Sequence, residues 1–286
     1  MDFKSQLNAT VDVLKLLLIQ ENESITIDRA RSLAQTDNTA GTSFFSTNPI
    51  WRQMIVEWYY SIIDQVGADR ELVYIAMDIL DRFLDVKTSY LKDKKEYEKA
   101  VIASLLISTK LYADEYICPK ELLQLTSSSI TSRDIMDTAV DIYESLSWNH
   151  SIPTAARFVH TLVKLLPENF TKKSRADIFE NAIYQIELSV QDAICSSQPA
   201  SLVAWMAVEN GLETAIFLSP DERHEFRSRV SKTTGREYST ELRNRLRGFQ
   251  ANVVLSDETK EIHHVSLKPR SLKDIPVVSM HEIDLV

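Results

Sequence analysis

The chain has 286 residues, of which 44% are hydrophobic and 26% are charged, a balance typical of globular proteins. Its five glycines are few for a fold rich in tight turns and favour helices. The formal net charge of −9 argues against a nucleic-acid-binding surface, which needs a dense positive field.

Near the N-terminus, apolar residues recur at three- or four-residue steps and predict an amphipathic helix: Phe3, Leu7, Val11, Leu14 and Leu18. Leu14–Ile19 is too short to span a bilayer, and no pattern of a secretion signal precedes it, so we expect an intracellular protein. The apolar pattern loosens from Glu21 to Thr47. We therefore expect residues 1–47 to form a helix and a flexible lead-in.

A first helical domain is predicted over residues 48–152. Asn48-Pro49 supplies a capping side chain and a first-turn proline, and Gly67 ends the helix that follows. Asp69 can cap a second helix, and Pro119 opens a short fourth one. A fifth helix begins at Thr131, where a capping box precedes an apolar stripe. The stripe consists of Ile135, Met136, Ala139, Val140, Tyr143 and Leu146.

The third helix of this domain differs from its neighbours, because Lys99–Tyr112 (KAVIASLLISTKLY) is apolar or small on every side from Ala100 to Ser108. Such a helix must be covered by other elements, since an exposed side would leave large apolar area in water. It is too short to cross a membrane, which takes about 20 residues. We therefore predict a central helix that other helices surround, with Lys110 where the apolar surface stops.

The second half of the chain repeats this plan. Ala200–Val208 (ASLVAWMAV) is again apolar on all sides, and Ser219-Pro220 begins a later helix with a serine cap and a first-turn proline. The pattern predicts a second helical domain over residues 153–235. Residues 236–286 are predicted to form a charged helix followed by a poorly ordered tail.

The first half of the chain resembles the cyclin box, the five-helix fold of cyclins. The matching stretches are WRQMIVEWYYSII (51–63), AMDILDRFLD (76–85), ASLLISTKLYADE (103–115), CPKELLQLT (118–126) and ESLSWNHSIPT (144–154). Residues 187–212 look like the more variable C-terminal cyclin fold. The resemblance implies an all-α protein of two tandem five-helix cyclin folds, each around a buried central helix.

The resemblance also implies a function. The chain would be a regulatory subunit, not an enzyme, that needs no cofactor or metal and that binds and activates a cyclin-dependent serine/threonine kinase. It would thereby control cell-cycle progression, in the nucleus and the cytoplasm. Neither a membrane nor a nucleic acid is expected as a partner, whereas substrate peptides or inhibitors are.

Three sets of site residues follow from the resemblance. Arg52 and Asp81 match a structural ion pair that joins the first two helices of the box. The expected kinase-binding residues are Lys110, Leu111 and Tyr143. The positions of a substrate-docking patch are occupied by Trp51, Met54, Ile55 and Trp58. These four also form the apolar stripe of their own helix, so a core role is the alternative.

One departure from the family pattern leaves the function open. Cyclins usually carry a glutamate on the fifth helix that complements the kinase-facing lysine, and this chain has Ala139 at that position. A non-activating cyclin-fold adaptor is therefore a second hypothesis. A transcription-linked, nucleic-acid-binding relative is a third, which the acidic composition disfavours.

Other motifs are weak. The sequence contains no glycine-rich phosphate loop, no HExxH and no paired-cysteine metal spacing, so an enzyme is the least favoured class. Cys118 and Cys195 are predicted to be free thiols. His263-His264 supplies too few ligands for a metal site. Arg243–Leu246 has the minimal RxxL form of a destruction signal, for which a helical surface is the simpler interpretation.

Overall fold

The computed structural model describes residues 3–34, 49–114, 117–124, 129–148, 153–213 and 219–257. Every regular element in these ranges is helical, which confirms the predicted all-α fold class. Helices α1–α6 span Phe3–Ala34, Pro49–Val66, Glu71–Val86, Lys94–Tyr112, Pro119–Gln124 and Ser132–Ser145, with a 3-10 helix at Thr88–Leu91. Helices α7–α12 span Ala155–Lys164, Lys172–Ser189, Ala193–Ser196, Ala200–Glu213, Pro220–Thr234 and Thr240–Asp257.

Local sequence signals determine where several of these helices begin and end. The predicted capping boxes form at α6, between Thr131 and Asp134, and at α11, between Ser219 and Glu222. Each satisfies backbone N–H groups that the first helical turn leaves without partners. Gly235 ends α11 with a φ of 64°, a left-handed conformation that glycine adopts without steric cost.

The described residues divide into two compact units. One comprises residues 28–148 and contains α2–α6. Its centre is α4, which contacts α3, α5, α6 and the 3-10 helix, and residues 100–109 of α4 are all buried. From α2, the hydroxyl of Tyr59 donates a hydrogen bond of 2.7 Å to the carbonyl of Val101. Burial raises the pKa of this hydroxyl, so it remains a neutral donor.

The other unit comprises residues 3–27 and 153–257. Here α10 is central and packs against α7, α8 and α12. At Gly211 a Cβ atom would lie 3.1 Å from the carbonyl oxygen of Ile178, so the absence of a side chain allows α8 and α10 to approach closely. Each of the two units thus surrounds one helix that is apolar on all sides, as the sequence predicts.

The helices extend beyond two of the predicted boundaries. The helix α1 continues to Ala34, well beyond Glu21, where the apolar pattern loosens and a flexible lead-in was expected. The second domain does not end at residue 235, because α12 packs against α8 and α10 and buries Leu242 and Leu246. The charged residues of α12 hid these apolar positions in the sequence. The predicted tail beyond residue 257 lies outside the described residues.

The RxxL motif is part of this packed helix. Arg243 donates to the side-chain oxygen of Asn210 at 3.1 Å and to the hydroxyl of Tyr238 at 2.8 Å, and Leu246 is fully buried. Both motif residues are therefore engaged in the core. A receptor that reads the motif as an extended peptide would first have to unfold α12.

The two cysteines are free thiols, as predicted. Cys195 is buried, and burial, followed by the neighbouring Asp192 carboxylate, raises the pKa of its thiol to about 12. Within the described ranges, no helix combines the length and the apolar character needed to cross a membrane.

The α1 helix is attached to the second unit by a buried charged network. The Glu21 carboxylate accepts hydrogen bonds from the backbone N–H and the hydroxyl of Ser201, at 2.8 and 2.6 Å, and from Arg236 Nη2 at 2.8 Å. Its side chain is almost completely buried. Glu21 therefore joins α1 to α10 and to the segment between α11 and α12.

We expect Glu21→Ala to lower the free energy of unfolding by about 3 kcal/mol, because the guanidinium of Arg236 would stay largely buried without its carboxylate. Urea unfolding followed by circular dichroism measures this loss. Glu23→Ala, an exposed position on the same helix, is the control and should cost less than about 0.5 kcal/mol. Equal losses in the two variants would contradict the assigned network.

Candidate functional site

The end of α4 is where the buried central helix reaches the surface. Residues 100–109 are buried, and Lys110, Leu111 and Tyr112 are the exposed residues that follow in the last turn. In the part of the chain that the structure describes, the Lys110 ammonium makes no side-chain hydrogen bond or ion pair. Its position at the helix C-terminus is favourable for a positive charge. A partner can therefore reach this lysine directly.

The helix α6 presents a second apolar face beside its core face. Ile135, Ala139, Ile142 and Leu146 point into the unit and are buried. Met136 and Val140, which the sequence analysis placed in the same stripe, are instead exposed. The reason is helical geometry, because these residues follow the core positions by one residue and are rotated about 100° away from them. Tyr143 continues this outer face and is half-buried.

Sequence reasoning missed Trp148 as a site residue. Its side chain is 65% exposed, and its ring stacks on that of Tyr143 with centroids 4.7 Å apart. Ser147 and Trp148 have φ values of 49° and 60°, which end α6 in a left-handed turn without a glycine. The backbone N–H of Trp148 donates to the Tyr143 carbonyl at 2.9 Å and closes this turn. A large aromatic residue at a position that favours glycine was the available signal.

The exposed residues of α4 and α6 form one surface. The two helices pack against each other, and partial burial, followed by the neighbouring Tyr112 hydroxyl, raises the pKa of Tyr143. Large exposed apolar side chains are the usual mark of a protein-binding site. We define the α4–α6 surface as Lys110, Leu111, Tyr112, Met136, Val140, Tyr143 and Trp148.

The fifth helix of the box places no carboxylate at the position of the family's glutamate. Ala139 is only 5% exposed and offers no polar group to the surface. Asp141 is engaged elsewhere, since it accepts a hydrogen bond from the Tyr90 hydroxyl at 3.0 Å and pairs with Lys87 at 3.0 Å. Partial burial and this hydrogen bond raise the pKa of Tyr90 to about 12. Asp141 therefore serves the fold rather than Lys110.

A cleft of about 570 Å³ adjoins Tyr112. Three acidic residues line it, Asp69, Asp114 and Glu121, together with the turn around Gly67. Glu121 accepts a hydrogen bond from the backbone N–H of Cys118 at 2.9 Å, which lowers the pKa of its carboxyl and keeps it charged. The border of the α4–α6 surface on this side is thus acidic, whereas Lys110 is positive.

Arg52 and Asp81 are joined as the resemblance implies. Arg52 Nη1 and Nη2 donate to Asp81 Oδ1 and Oδ2 at 2.7 and 2.8 Å, a two-point ion pair between α2 and α3. The arginine side chain is 13% exposed and the aspartate side chain 39%. Loss of the aspartate would leave a largely buried guanidinium without its partner.

The residues of the predicted docking patch occupy the core side of α2. Trp51, Ile55 and Trp58 are buried, and only Met54 is partly accessible. Trp51 packs edge-on against Tyr97 of α4, with ring centroids 6.2 Å apart. Burial of three of the four side chains favours the alternative core role, because a peptide cannot grip side chains that the domain itself covers. Substrate docking at these residues stays a prediction.

Within the described ranges, no group of three or more histidine, cysteine, aspartate or glutamate side chains is arranged to hold a metal ion. His263-His264 lies outside those ranges. The fold and the exposed surface therefore define an all-α protein with a candidate protein-binding surface at the end of its first central helix.

Comparisons with known proteins find similarity to cyclins. Residues 15–151 match the family model described as cyclin, N-terminal domain. Cyclin-A3-4 of Arabidopsis thaliana is 25% identical over 162 residues, which are 56% of this chain and 42% of that relative. G1/S-specific cyclin-E of Drosophila melanogaster is 25% identical over 169 residues, 58% of this chain and 22% of the relative. The first half of the chain is thus similar to the N-terminal domain of cyclins.

The matches span less than half the length of these curated relatives. Among solved structures, the X-ray structure of a viral cyclin from herpesvirus saimiri is similar to this chain with a TM-score of 0.49 and 15% identity. That similarity covers 78% of this chain and 97% of the viral chain.

The Arg52–Asp81 pair can be tested against an exposed pair in the same unit. We expect Asp81→Asn to lower the free energy of unfolding by about 2 kcal/mol, because Arg52 is largely buried. Asp64→Asn removes a similar two-point contact with Arg70, whose side chain is 46% exposed, and should cost about 0.5 kcal/mol. Thermal unfolding measures both variants. A larger loss in Asp64→Asn would refute the structural role given to Asp81.

Proposed function

We propose that this chain is a cyclin that binds and activates a cyclin-dependent serine/threonine kinase and thereby controls cell-cycle progression. The observation that carries the proposal is the α4–α6 surface. It combines a positive charge at Lys110 with exposed apolar side chains on two adjacent helix ends. Similarity to the N-terminal domain of cyclins supports a regulatory role over catalysis by the chain itself.

The chemistry of the surface suits a helix of a partner protein. Met136, Val140 and Tyr143 recur at steps of four and three residues along α6, so they form a stripe that a second helix can pack against. Trp148 and Leu111 enlarge this stripe at its end. Such burial is worth about 25 cal/mol per Å² of apolar surface before the costs of association.

Lys110 would orient the partner rather than supply most of the binding free energy. Its ammonium group can donate up to three hydrogen bonds to backbone carbonyls of a partner loop, while its aliphatic stem covers apolar surface. Because Ala139 brings no carboxylate to the surface, the partner itself must supply the acceptors for this charge. We propose that Lys110, Leu111 and Tyr143 contact the mobile helix of the kinase.

Docking would activate the kinase by favouring its active state. A helix held against the α4–α6 surface would rotate inward, complete the kinase's lysine–glutamate ion pair and open its activation segment. A shift from 1% to 99% active molecules needs about 5.5 kcal/mol of preferential binding to the active state. The cyclin must therefore bind the inward position of the helix more tightly than the outward one.

We expect Lys110→Glu to abolish kinase association while helix content and melting temperature stay nearly unchanged, because Lys110 is exposed and makes no side-chain hydrogen bond or ion pair within the described residues. Pull-down with purified cyclin-dependent kinases measures binding, and circular dichroism measures the fold. Lys95→Glu makes the same charge reversal at an exposed site near the other end of α4, about 20 Å away. Binding must survive this control, and kinase binding by Lys110→Glu would count against the proposed interface.

We expect Val140→Asp to weaken kinase binding at least about tenfold, because a carboxylate would be desolvated within the apolar stripe. Val140 is 48% exposed, so the free protein should tolerate the change. Leu16→Asp is the matched control, since Leu16 is 61% exposed on α1, outside the α4–α6 surface. Titration calorimetry gives both affinities, and equal affinities for the two variants would exclude the α6 stripe from the interface.

A specific observation favours a second function. The alanine at position 139 removes a group that family members use at the kinase interface, which suits an adaptor that binds a kinase without activating it. Phosphate transfer to a protein substrate by the purified complex separates the two functions. A rise in kinase activity on complex formation supports a cyclin that activates, and stable binding without a rise supports the adaptor. Nuclear and cytoplasmic localisation is part of the same proposal.

A further inference from the structure

Two buried polar atoms of α10 lack a hydrogen-bond partner among the described residues. They are the indole Nε1 of Trp205 and the carboxylate Oε1 of Glu209. The two residues are 1% and 0% exposed, so bulk solvent does not reach them. They lie four residues apart, which places them on the same face of the helix, one above the other.

Contacts with two further side chains join these residues into one cluster. Glu209 Oε2 accepts hydrogen bonds from Arg227 Nε and Nη2 at 3.0 and 2.8 Å. The Arg227 guanidinium lies 4.5 Å from the centroid of the Tyr238 ring. That ring packs edge-on against Trp205 with centroids 5.9 Å apart. We call these four residues the Trp205 cluster: Trp205, Glu209, Arg227 and Tyr238.

Trp205 Nε1 and Glu209 Oε1 have complementary hydrogen-bonding roles. The indole N–H is a donor without an acceptor, and Glu209 Oε1 is an acceptor without a donor, because Arg227 satisfies only the other carboxylate oxygen. Buried polar groups in folded proteins nearly always have partners, either in the protein or in ordered water. A buried carboxylate oxygen that nothing solvates would be especially costly.

We propose that the Trp205 cluster binds one internal water molecule, which accepts a hydrogen bond from Trp205 Nε1 and donates one to Glu209 Oε1. The bridging group must accept and donate at once, and water does both. A metal cation cannot accept the indole proton. An anion would be repelled by the carboxylate.

The water would complete the polar connection between α10 and its neighbours. Arg227 belongs to α11, and Tyr238 lies in the segment between α11 and α12. With the water in place, both oxygens of Glu209 accept hydrogen bonds, one from the water and the other from Arg227. The cluster then fixes α11 to the central helix of the second unit without exposing the carboxylate.

Nuclear magnetic resonance tests the proposal on the perdeuterated full chain. The chain contains four tryptophans, and Trp205→Phe assigns the indole proton of interest. We expect that proton to show a direct cross-relaxation peak with a long-lived water. The Tyr238→Phe variant is the control for exchange with the tyrosine hydroxyl. If the peak of the Trp205 indole proton comes from a bound water, it must persist in this variant. A missing peak, or one that Tyr238→Phe removes, would overturn the proposal.

A high-resolution crystal structure gives a second, independent test that requires no variant. It should show a water oxygen within about 3.2 Å of both Trp205 Nε1 and Glu209 Oε1. A dry cluster, or a protein group bonded to either atom, would contradict the assignment. Fast exchange of the Trp205 indole proton with bulk solvent, as expected for exposed Trp148, would do the same.

Discussion

The burial of two helices that are apolar on every side is the constraint on which this structure depends. Neither α4 nor α10 has a face that tolerates water, so each has to be surrounded by amphipathic helices. Burial of each large side chain in this way stabilises the fold by about 1.5 to 3 kcal/mol, which offsets part of the conformational entropy lost on folding. The α4 helix organises α3, α5 and α6, and α10 organises α7, α8 and α12.

The candidate site arises where this burial ends. The apolar surface of α4 is covered up to Thr109, and the next residue, Lys110, is exposed. On α6, the core face packs within the unit itself, whereas Met136 and Val140 stay in contact with water. The fold therefore leaves an apolar stripe beside a positive charge, and the free energy that the stripe would gain on burial is available only to a partner.

Buried charges give the second unit its specificity. Glu21 binds Arg236, Glu209 binds Arg227, and Asp192 accepts two hydrogen bonds from Arg245 at 2.9 and 2.6 Å. In each pair, an arginine from the C-terminal part of the chain meets a carboxylate of an earlier element. Such pairs add little net stability over apolar packing, but a misplaced helix would leave a buried charge without its partner.

The amino-acid sequence determined the helices, their caps and the two central segments, because those features depend on local spacing. The run from Ala100 to Ser108 and the capping box of Thr131 and Asp134 can be recognised from neighbouring residues alone. The cyclin resemblance named Lys110, Leu111 and Tyr143 as kinase-binding residues, which stays a prediction. It also paired Arg52 with Asp81, and the structure joins that pair by two hydrogen bonds.

Only the tertiary structure decided which apolar residues face inward. Met136 and Ala139 belong to one stripe in the sequence, yet one is exposed and the other is buried, because neighbouring helices cover only part of that stripe. Trp51 and Ile55 were candidates for a surface patch and lie in the core, while Trp148 is exposed on a left-handed turn. Arg243 was expected on a helical surface but binds partners in the core, as do Glu21 and Glu209. Their partners are distant in the chain, and local spacing carries no information about which distant groups the fold brings together.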